Sequence, residues 1–254
     1  MDFWKHFDIT HRDHAICNPM SSEKLDELVE ILNLEQGSKI LDTACGKAEF
    51  IIRIVKKYNV SAIGVDLSPY YIREAKKRIE SLIPNSNVQL IEKDGAQYEP
   101  EQSEFFDMAS CLGASWIFKN HEGTLKYLIK QVKKGGVIIA GEPYWKTKPS
   151  QEYLTKAREV YNHEEFGDFD SHFENVRAGE KLGLTFIYCL VSNGDDWDRY
   201  LNLQWNAVDK YVRANPKDPD NHDLKEKISK ERELYLRWER ELFGWAIYVF
   251  RKNL

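Results

Sequence analysis

The chain has 254 residues, of which 42% are hydrophobic, and this is enough apolar content for a substantial core. Its length fits one large α/β domain, or such a domain with a cap. The formal net charge of −5 at pH 7 argues against nonspecific binding to nucleic acid or anionic membranes, although a local basic patch stays compatible with it.

The N-terminal residues 1–20 are rich in aromatic side chains and histidines and show no clear periodicity. The histidines at positions 6, 11 and 14 lack acidic or cysteine partners at metal-ligand spacing, so we expect no metal site. Ser21 or Ser22 then caps a predicted helix whose apolar residues recur at helical spacing. Those residues are Leu25, Leu28, Val29 and Leu32.

The run from Ile40 to Phe50 reads as a buried strand, a tight turn of small residues and the start of a helix. The next predicted strand, 62–66, ends in the carboxylate of Asp66. Ser68 and Pro69 are typical of a helix N-cap and first helical residue. A strand, a small-residue loop and an acid that closes the next strand together indicate a nucleotide-like cofactor.

Five further strands are predicted downstream, and helical patterns separate the early ones. Strands that alternate with helices at short spacing imply right-handed crossovers and a parallel sheet. Lys133 to Gly136 is expected to be the turn that leads into the fifth strand. The five downstream strands are predicted at 88–94, 105–112, 137–141, 185–191 and 245–250.

The turn after the first strand decides which cofactor is expected. A dinucleotide-binding turn needs three glycine-like positions, and Glu49 occupies the third of them here. The alternative spacing, small-x-small-x-small, is filled by Ala44, Gly46 and Ala48. Lys47 is the discordant residue in a loop suited to a cationic ligand, and we expect it to be a solvated residue of the first helical turn.

That spacing, preceded by Asp42, resembles motif I of the class I S-adenosylmethionine-dependent methyltransferases, with alanine at two positions where glycine is usual. The order of later segments resembles the same family: 64–68, 92–96, 106–109 and 134–137. The nearest resemblance is to small-molecule methyltransferases of the quinone-biosynthesis type. More narrowly, the segments 18–19, 111–116, 141–145 and 195–200 are similar to an uncharacterised bacterial group.

The resemblance implies a Rossmann-like, doubly wound α/β sheet of seven strands, mostly parallel with the last strand antiparallel, plus a helical cap. It also implies S-adenosyl-L-methionine as cofactor, with Asp66 on the ribose hydroxyls and Asp94 near the adenine amino group. Asp42 is expected to organise the loop or the cofactor amine, and the alternative is a purely structural role. The full expected cofactor set is Asp42, Ala44, Cys45, Gly46, Asp66, Leu67, Ser68, Asp94, Gly95, Ala96, Cys111, Gly113 and Ser115.

Methyl transfer is an in-line displacement that depends mainly on positioning, and a general base is needed only if the acceptor loses a proton. The sequence shows no catalytic dyad. Our candidates for catalytic residues are His14, Glu142 and Tyr144. For Glu142 and Tyr144 the alternative is ordinary packing of a loop. The expected substrate pocket contains Trp116, Trp145, Trp197, Tyr200 and Trp205, although the last three also fit the core of a cap.

About fifty residues, from Ser192 to Gly244, separate the last two strands, which normally form a hairpin in this family. Two helices and a turn at 215–220 are predicted there. We expect one domain over 1–254, with cap segments 1–33, 148–181 and 192–243 on a core of 34–147, 182–191 and 244–254. The acidic aromatic stretch 163–174 is expected to precede a short helix.

The scattered cysteines Cys17, Cys45, Cys111 and Cys189 indicate reduced thiols. No apolar signal core is present at the start, and no run reaches the ~18 apolar residues of a membrane span. We therefore expect a soluble cytoplasmic monomer or homodimer that methylates a small molecule and binds neither nucleic acid nor membranes. The alternatives are an RNA or protein methyltransferase and a non-catalytic cofactor-binding interaction protein.

Overall fold

The computed structural model describes residues 1–101, 105–163 and 166–253. Seven strands form one sheet with the order β3-β2-β1-β4-β5-β7-β6. Strands β1 to β5 pair in parallel, and β7 runs antiparallel to both β5 and β6, as the sequence predicts. The strands are β1 (Lys39–Thr43), β2 (Ser61–Asp66), β3 (Val88–Glu92), β4 (Phe106–Leu112), β5 (Val132–Trp145), β6 (Leu184–Val191) and β7 (Phe243–Lys252).

Helices cover both faces of this sheet and gather above one of its edges. A five-residue π-helix, Tyr235–Glu239, joins two of them, and short 3₁₀ helices lie at Gly95–Gln97 and Ser115–Phe118. The α-helices of the described residues are α1 (Phe3–Thr10), α2 (Ser22–Ile31), α3 (Glu49–Tyr58), α4 (Pro69–Leu82), α5 (His121–Gln131), α6 (Gln151–Tyr161), α7 (His172–Lys181), α8 (Gly194–Ala214), α9 (Asn221–Leu234) and α10 (Arg240–Leu242).

The local signals in the sequence explain where several helices begin. The Ser21 hydroxyl accepts a hydrogen bond from the backbone N–H of Lys24, which confirms it as the N-cap of α2. Ser68 caps α4 in the same way, with Pro69 as the first helical residue. Because α3 carries buried residues on one face, it packs directly onto the sheet.

Two apolar clusters sandwich the sheet. One contains Leu28, Ile40, Ile51 and Val249 and lies under α2 and α3. The other contains Leu41, Leu125, Ile138, Tyr248 and Phe250 and lies under α5 and α7. Alternate residues of one strand enter opposite clusters, as the two-residue period of a strand requires.

The N-terminal helix and the long segment between β6 and β7 pack against each other. Ile9 of α1 is buried with Val208 of α8 and with Leu224 and Ile228 of α9. A further cluster joins α6 to the end of α9 and to the start of β7 through Tyr153, Ala157, Leu234 and Phe243. Residues 164 and 165 of the expected cap segment 148–181 lie outside the described residues.

Some element boundaries differ from those that the sequence predicts. Residues 3–10 are helical although their apolar pattern is weak, because the helix buries its inner face under α8. Strand β5 begins at Val132, and a register shift of β4 between Phe106 and Met108 accommodates residues 133–136 within it. The expected turn is therefore an irregular part of the strand, where Gly135 has a φ of +78°.

Candidate active site

A cavity of about 620 Å³ opens above the carboxyl ends of β1, β2 and β4. This is the edge at which open α/β sheets bind ligands. The loop after β1 forms part of its floor. Side chains from α1, from residues 15–20 and from α8 form its roof.

The loop after β1 adopts a conformation that only small residues accept readily. Ala44, Gly46 and Ala48 have φ values of +57°, +55° and +59°. The left-handed region costs an L-residue with a Cβ about 1–2 kcal/mol, so two alanines here indicate that the surrounding fold imposes this shape. A Cβ built on Gly46 meets no atom within 4 Å, and Gly46 faces the cavity.

Asp66 is held at the cavity wall by two backbone amides. Its carboxylate accepts hydrogen bonds from the N–H groups of Gly46 and Ser68, both at 2.8 Å. Burial raises the pKa of Asp66, and the two N–H donors partly oppose that rise. The side chain thus links the loop after β1 to the start of α4 at the edge of the cavity.

Asp42 lies deeper in the same wall. The Ser110 hydroxyl donates to its carboxylate over 2.6 Å. Burial raises the pKa of Asp42 to about 7, and the nearby charge of Asp66 acts in the same direction. A cationic ligand group near Asp42 would therefore bind best to its deprotonated form.

Two other predicted cofactor residues are glycines with close neighbours. A Cβ on Gly95 would meet the Thr43 methyl group at 2.5 Å, and one on Gly113 would meet Asn18 Oδ1, at a position whose φ of +79° itself favours glycine. Asp94 lines the cavity, and its carboxylate accepts a hydrogen bond from the backbone of Ala96 at 2.9 Å.

The remaining predicted cofactor residues divide into two groups. Ala44, Cys45 and Leu67 line the cavity. Ser68, Ala96, Cys111 and Ser115 do not line it. Ser68 caps α4, Cys111 is buried among core residues, and the Ser115 hydroxyl donates to Glu142.

Lys47 is buried, contrary to the expectation that it is a solvated residue. Its ammonium group donates to the backbone carbonyls of His11, Arg12 and His14 at 2.7, 3.2 and 3.0 Å. Burial lowers the pKa of Lys47. Through the Lys47 side chain, the loop after β1 (residues 44–48, the cofactor loop) therefore holds the N-terminal segment over the cavity.

The structure brings His11 rather than the predicted base His14 to the cavity. His11 and Tyr200 both line it, and their side chains are hydrogen-bonded at 2.8 Å. His14 Nε2 instead bonds to the backbone carbonyl of Tyr200 at 2.9 Å, so that its ring lies behind the cavity wall. The sequence carried only an indirect signal for His11, namely the aromatic density of residues 1–20.

The other two predicted catalytic residues point away from the cavity. Glu142 is buried next to His121 and accepts a hydrogen bond from Ser115 at 2.9 Å. Tyr144 packs over Gly244 and His172. Since side chains alternate along β5, Pro143 between them is the residue that lines the cavity.

The predicted substrate-pocket residues are also divided. Trp116, Trp197 and Tyr200 line the cavity, and Trp116 at its mouth is 65% exposed. Trp145 stacks on Phe243 instead, and Trp205 packs near Val208 between α8 and α9. The helical or strand spacing of these two residues turns them toward the apolar clusters around α6 and α9.

Several roof and wall residues of the cavity are not among the site residues that the sequence predicts. They come from α1, from the segment before α2, from α4 and from β7. Most are apolar or aromatic, so the upper part of the cavity is a largely apolar surface. They are Trp4, Phe7, His11, Ile16, Cys17, Asn18, Tyr71 and Trp245.

These residues fit the cofactor that the sequence predicts. Open space over Gly46 leaves room for a ligand against the loop backbone. Asp66 offers carboxylate oxygens at the wall, which suits ribose hydroxyl donors, and Asp42 suits an ammonium group. Within the described ranges no three His, Cys, Asp or Glu side chains form a group that could hold a metal, and no helix there is long and apolar enough to cross a membrane.

Known proteins match this chain over most or all of its length. Residues 34–210 match the family described as a methyltransferase domain. The Escherichia coli protein YjhP, described as uncharacterised, is 30% identical over 98% of each chain. A solved S-adenosylmethionine-dependent methyltransferase from Thiobacillus denitrificans, in complex with S-adenosyl-L-homocysteine, is 31% identical over the whole of each chain with a TM-score of 0.89.

A shorter match connects the chain to an enzyme with a named acceptor. Demethylmenaquinone methyltransferase from Staphylococcus saprophyticus is 30% identical over 46% of this chain and 50% of its own length. The family match, the full-length relatives and the cavity at the carboxyl edge of the sheet all indicate the same family. The chain belongs to the class I S-adenosylmethionine-dependent methyltransferases.

Proposed function

We propose that this enzyme transfers the methyl group to a small-molecule acceptor, by in-line displacement inside the cavity. The observation that carries the proposal is that one cavity contains both the cofactor loop around Gly46 and an aromatic roof. A volume of about 620 Å³ lies within the range of small-molecule sites. S-adenosylmethionine supplies an electrophilic methyl group on a positively charged sulfur.

In this proposal the floor of the cavity binds the cofactor. Asp66 accepts hydrogen bonds from the ribose hydroxyls, and two backbone amides already orient its carboxylate. Asp94 and Gly95 border the adenine end, while Asp42 and the loop from Ala44 to Gly46 border the methionine end. No cation other than Lys47 lines the cavity within the described residues, and its ammonium is engaged by three carbonyls.

The roof holds the acceptor and excludes water. Phe7, Trp197 and Trp245 give it apolar surface from three different elements. Holding two reactants at near-attack distance in such a site can supply effective molarities of about 10⁵ M or more. The residues of the roof thus contribute mainly by positioning, which agrees with the lack of an evident general base.

A small acceptor is favoured over RNA or protein for two reasons. The roof segments cover the cavity, and the net charge of −5 does not favour a nucleic-acid partner. The demethylmenaquinone methyltransferase that matches half of the chain also acts on a small molecule, by its name. Of the expected cap segments, 1–33 and 192–243 contribute roof residues and would cover the active site of the one domain, whereas no described residue of 148–181 lines the cavity.

Cofactor binding is tested by calorimetry with S-adenosyl-L-homocysteine and NAD. We expect binding of the first and none of the second at similar concentration. Asp66→Ala should weaken S-adenosyl-L-homocysteine by roughly 10- to 150-fold, because a hydrogen bond to a charged group contributes about 1.5–3 kcal/mol. Asp66→Asn keeps the side-chain shape, and Asp223→Ala, at an exposed side chain of α9, is the control. Unchanged affinity in a folded Asp66→Ala variant contradicts the ribose role.

Turnover is tested separately, by following S-adenosyl-L-homocysteine formation with a panel of small hydroxy, amino and quinol compounds. An enzyme should form it only when an acceptor is added. A protein that binds the cofactor tightly and forms no product with small molecules, RNA or protein acceptors would be the non-catalytic alternative. Product with RNA or protein alone would contradict the small-molecule assignment.

A further inference from the structure

Two side chains of the roof form a hydrogen-bonded pair that belongs to separate parts of the chain. His11 follows α1, and Tyr200 lies on α8. His11 Nε2 and the Tyr200 hydroxyl are 2.8 Å apart, while His11 Nδ1 lies 2.9 Å from the Thr10 hydroxyl. Both rings face the cavity, where the acceptor of the proposed reaction would bind.

The surrounding groups fix the direction of these hydrogen bonds. The Thr10 hydroxyl donates its one proton to the backbone carbonyl of His6 at 2.9 Å, so it accepts from His11 Nδ1–H. His11 Nε2 is then unprotonated and accepts the Tyr200 hydroxyl proton. With its proton directed to His11, the Tyr200 oxygen offers its lone pairs to a hydrogen-bond donor on a ligand.

The pair is held rigidly and is uncharged. Lys47 binds the His11 carbonyl, and His14 Nε2 donates to the Tyr200 carbonyl. Burial, assisted by the charges of His14 and Lys47, lowers the pKa of His11 to about 3. The imidazole therefore stays neutral at physiological pH, and Tyr200 cannot turn its proton toward the cavity without losing its partner.

We propose that His11 and Tyr200 form a fixed hydrogen-bond acceptor, which selects methyl acceptors that carry an O–H or N–H group on an otherwise apolar body. The inference rests on the proposed function, since it assigns the acceptor class of the same cavity. The Tyr200 oxygen accepts a hydrogen bond from the O–H or N–H group of the molecule that is to be methylated. His11 is a positioning residue, because it acts by orienting the Tyr200 hydroxyl.

An acceptor without such a hydrogen is disfavoured by this arrangement. It would leave the Tyr200 lone pair buried and without a donor, which is a cost that a mostly apolar site cannot recover. A neutral roof also avoids placing a second positive charge near the sulfonium of the cofactor. The arrangement thus serves selection and positioning and does not require His11 to take up a proton.

The test compares 2-naphthol with its methyl ether, 2-methoxynaphthalene, as calorimetric probes of the S-adenosyl-L-homocysteine-saturated protein. The wild-type protein should bind the naphthol about tenfold more tightly. Tyr200→Phe should remove this preference by weakening the naphthol without weakening the ether, which separates the hydrogen bond from the added bulk of the methyl group. Tyr58→Phe, a hydroxyl lost from α3 away from the cavity, is the control.

Variants of His11 test the positioning role. His11→Phe should also remove the preference, because the Tyr200 hydroxyl can then donate its proton into the cavity and the ether oxygen can accept it. His11→Gln should keep most of it, since the glutamine oxygen can accept the Tyr200 proton. A merely structural role for His11 would lower the affinities for both probes together.

Three results overturn the inference: equal affinities in the wild-type protein, no binding of either probe, or a preference that survives in Tyr200→Phe. Loss of the preference in Tyr71→Phe alone would also overturn it, by assigning the contact to the other tyrosine of the cavity wall. Binding of S-adenosyl-L-homocysteine is measured first in every variant. Its absence in the wild-type protein contradicts the proposed function, whereas its presence with equal probe affinities contradicts only this inference.

Discussion

At the scale of single residues, the two acids of the cavity wall differ in what stabilises them. Asp66 accepts hydrogen bonds from two backbone N–H groups. Asp42 accepts one from a hydroxyl group, and its pKa is raised to about 7. The ordinary value for an aspartate is 3.8. Without a ligand, Asp42 is therefore partly protonated near neutral pH.

This difference predicts a pH dependence of cofactor binding. A cationic ligand lowers the pKa of Asp42, so binding releases a proton and the affinity rises as pH increases toward 7. We expect about a tenfold gain in affinity for S-adenosylmethionine between pH 5.5 and pH 7.5, measured by calorimetry. Asp42→Asn should have a flat profile over that range. Equal pH profiles of the two proteins would contradict a role of Asp42 near the cofactor amine.

The same shift has a consequence for stability without ligand. A carboxyl group whose folded pKa lies above its unfolded value stabilises the fold at low pH, and this contribution is lost as pH rises through the folded pKa. The free energy of unfolding of the wild-type protein should therefore fall relative to Asp42→Asn between about pH 4 and pH 7. Urea denaturation at several pH values measures this, and a difference that is constant over that range would refute the shift.

At the scale of elements, Lys47 connects the cofactor loop to the N-terminal segment. Lys47→Met keeps an apolar side chain of similar length and removes three hydrogen bonds. We expect a loss of about 1–3 kcal/mol in the free energy of unfolding, because buried carbonyls lose a charged donor. Trypsin should also cut faster after Arg12.

The matched control is Lys57→Met on the neighbouring helix α3. Lys57 is exposed and pairs with Glu30, so its loss should change the free energy of unfolding by less than about 1 kcal/mol. If Lys47→Met and Lys57→Met behave alike in denaturation and proteolysis, Lys47 does not anchor the N-terminal segment.

Much of the sheet could be predicted because its signals are local. The small residues from Ala44 to Ala48 and the acid of Asp66 follow apolar strands in order, and the observed sheet has the predicted direction of its last strand. Helix α1 and the roles of Lys47 and His11 depend on contacts with distant segments, which no short pattern contains. Along β5, the side chains of Glu142 and Tyr144 point to the opposite face of the sheet from Pro143, which lines the cavity. The sequence alone does not show which of the two faces is turned toward the cavity.

At the scale of the whole molecule, the helices above the sheet are joined by buried contacts that cross several segments. Leu224 is fully buried between α1, α8 and α9, whereas Leu236 in the π-helix is 61% exposed. Leu224→Ala should lower the free energy of unfolding by about 2–5 kcal/mol and the melting temperature by roughly 5–15 °C. Leu236→Ala should change either value little.

If these helices and the sheet form one cooperative unit, Leu224→Ala should still unfold in a single transition. Far-ultraviolet circular dichroism follows all elements, and tryptophan fluorescence follows both the roof and the sheet, so the two midpoints should coincide. A separate transition at lower temperature in Leu224→Ala would show that the helices above the sheet unfold independently of it.

The central claim is that the cofactor lies on the floor of the cavity with its sulfur toward a roof formed by His11 and Tyr200. A crystal structure of the protein with S-adenosyl-L-homocysteine tests it most directly. We expect ribose hydroxyls within 3.2 Å of the Asp66 carboxylate, a usual hydrogen-bond distance, and an apolar space between the sulfur and Tyr200. A ligand bound elsewhere, or a ribose that does not contact Asp66, would contradict it.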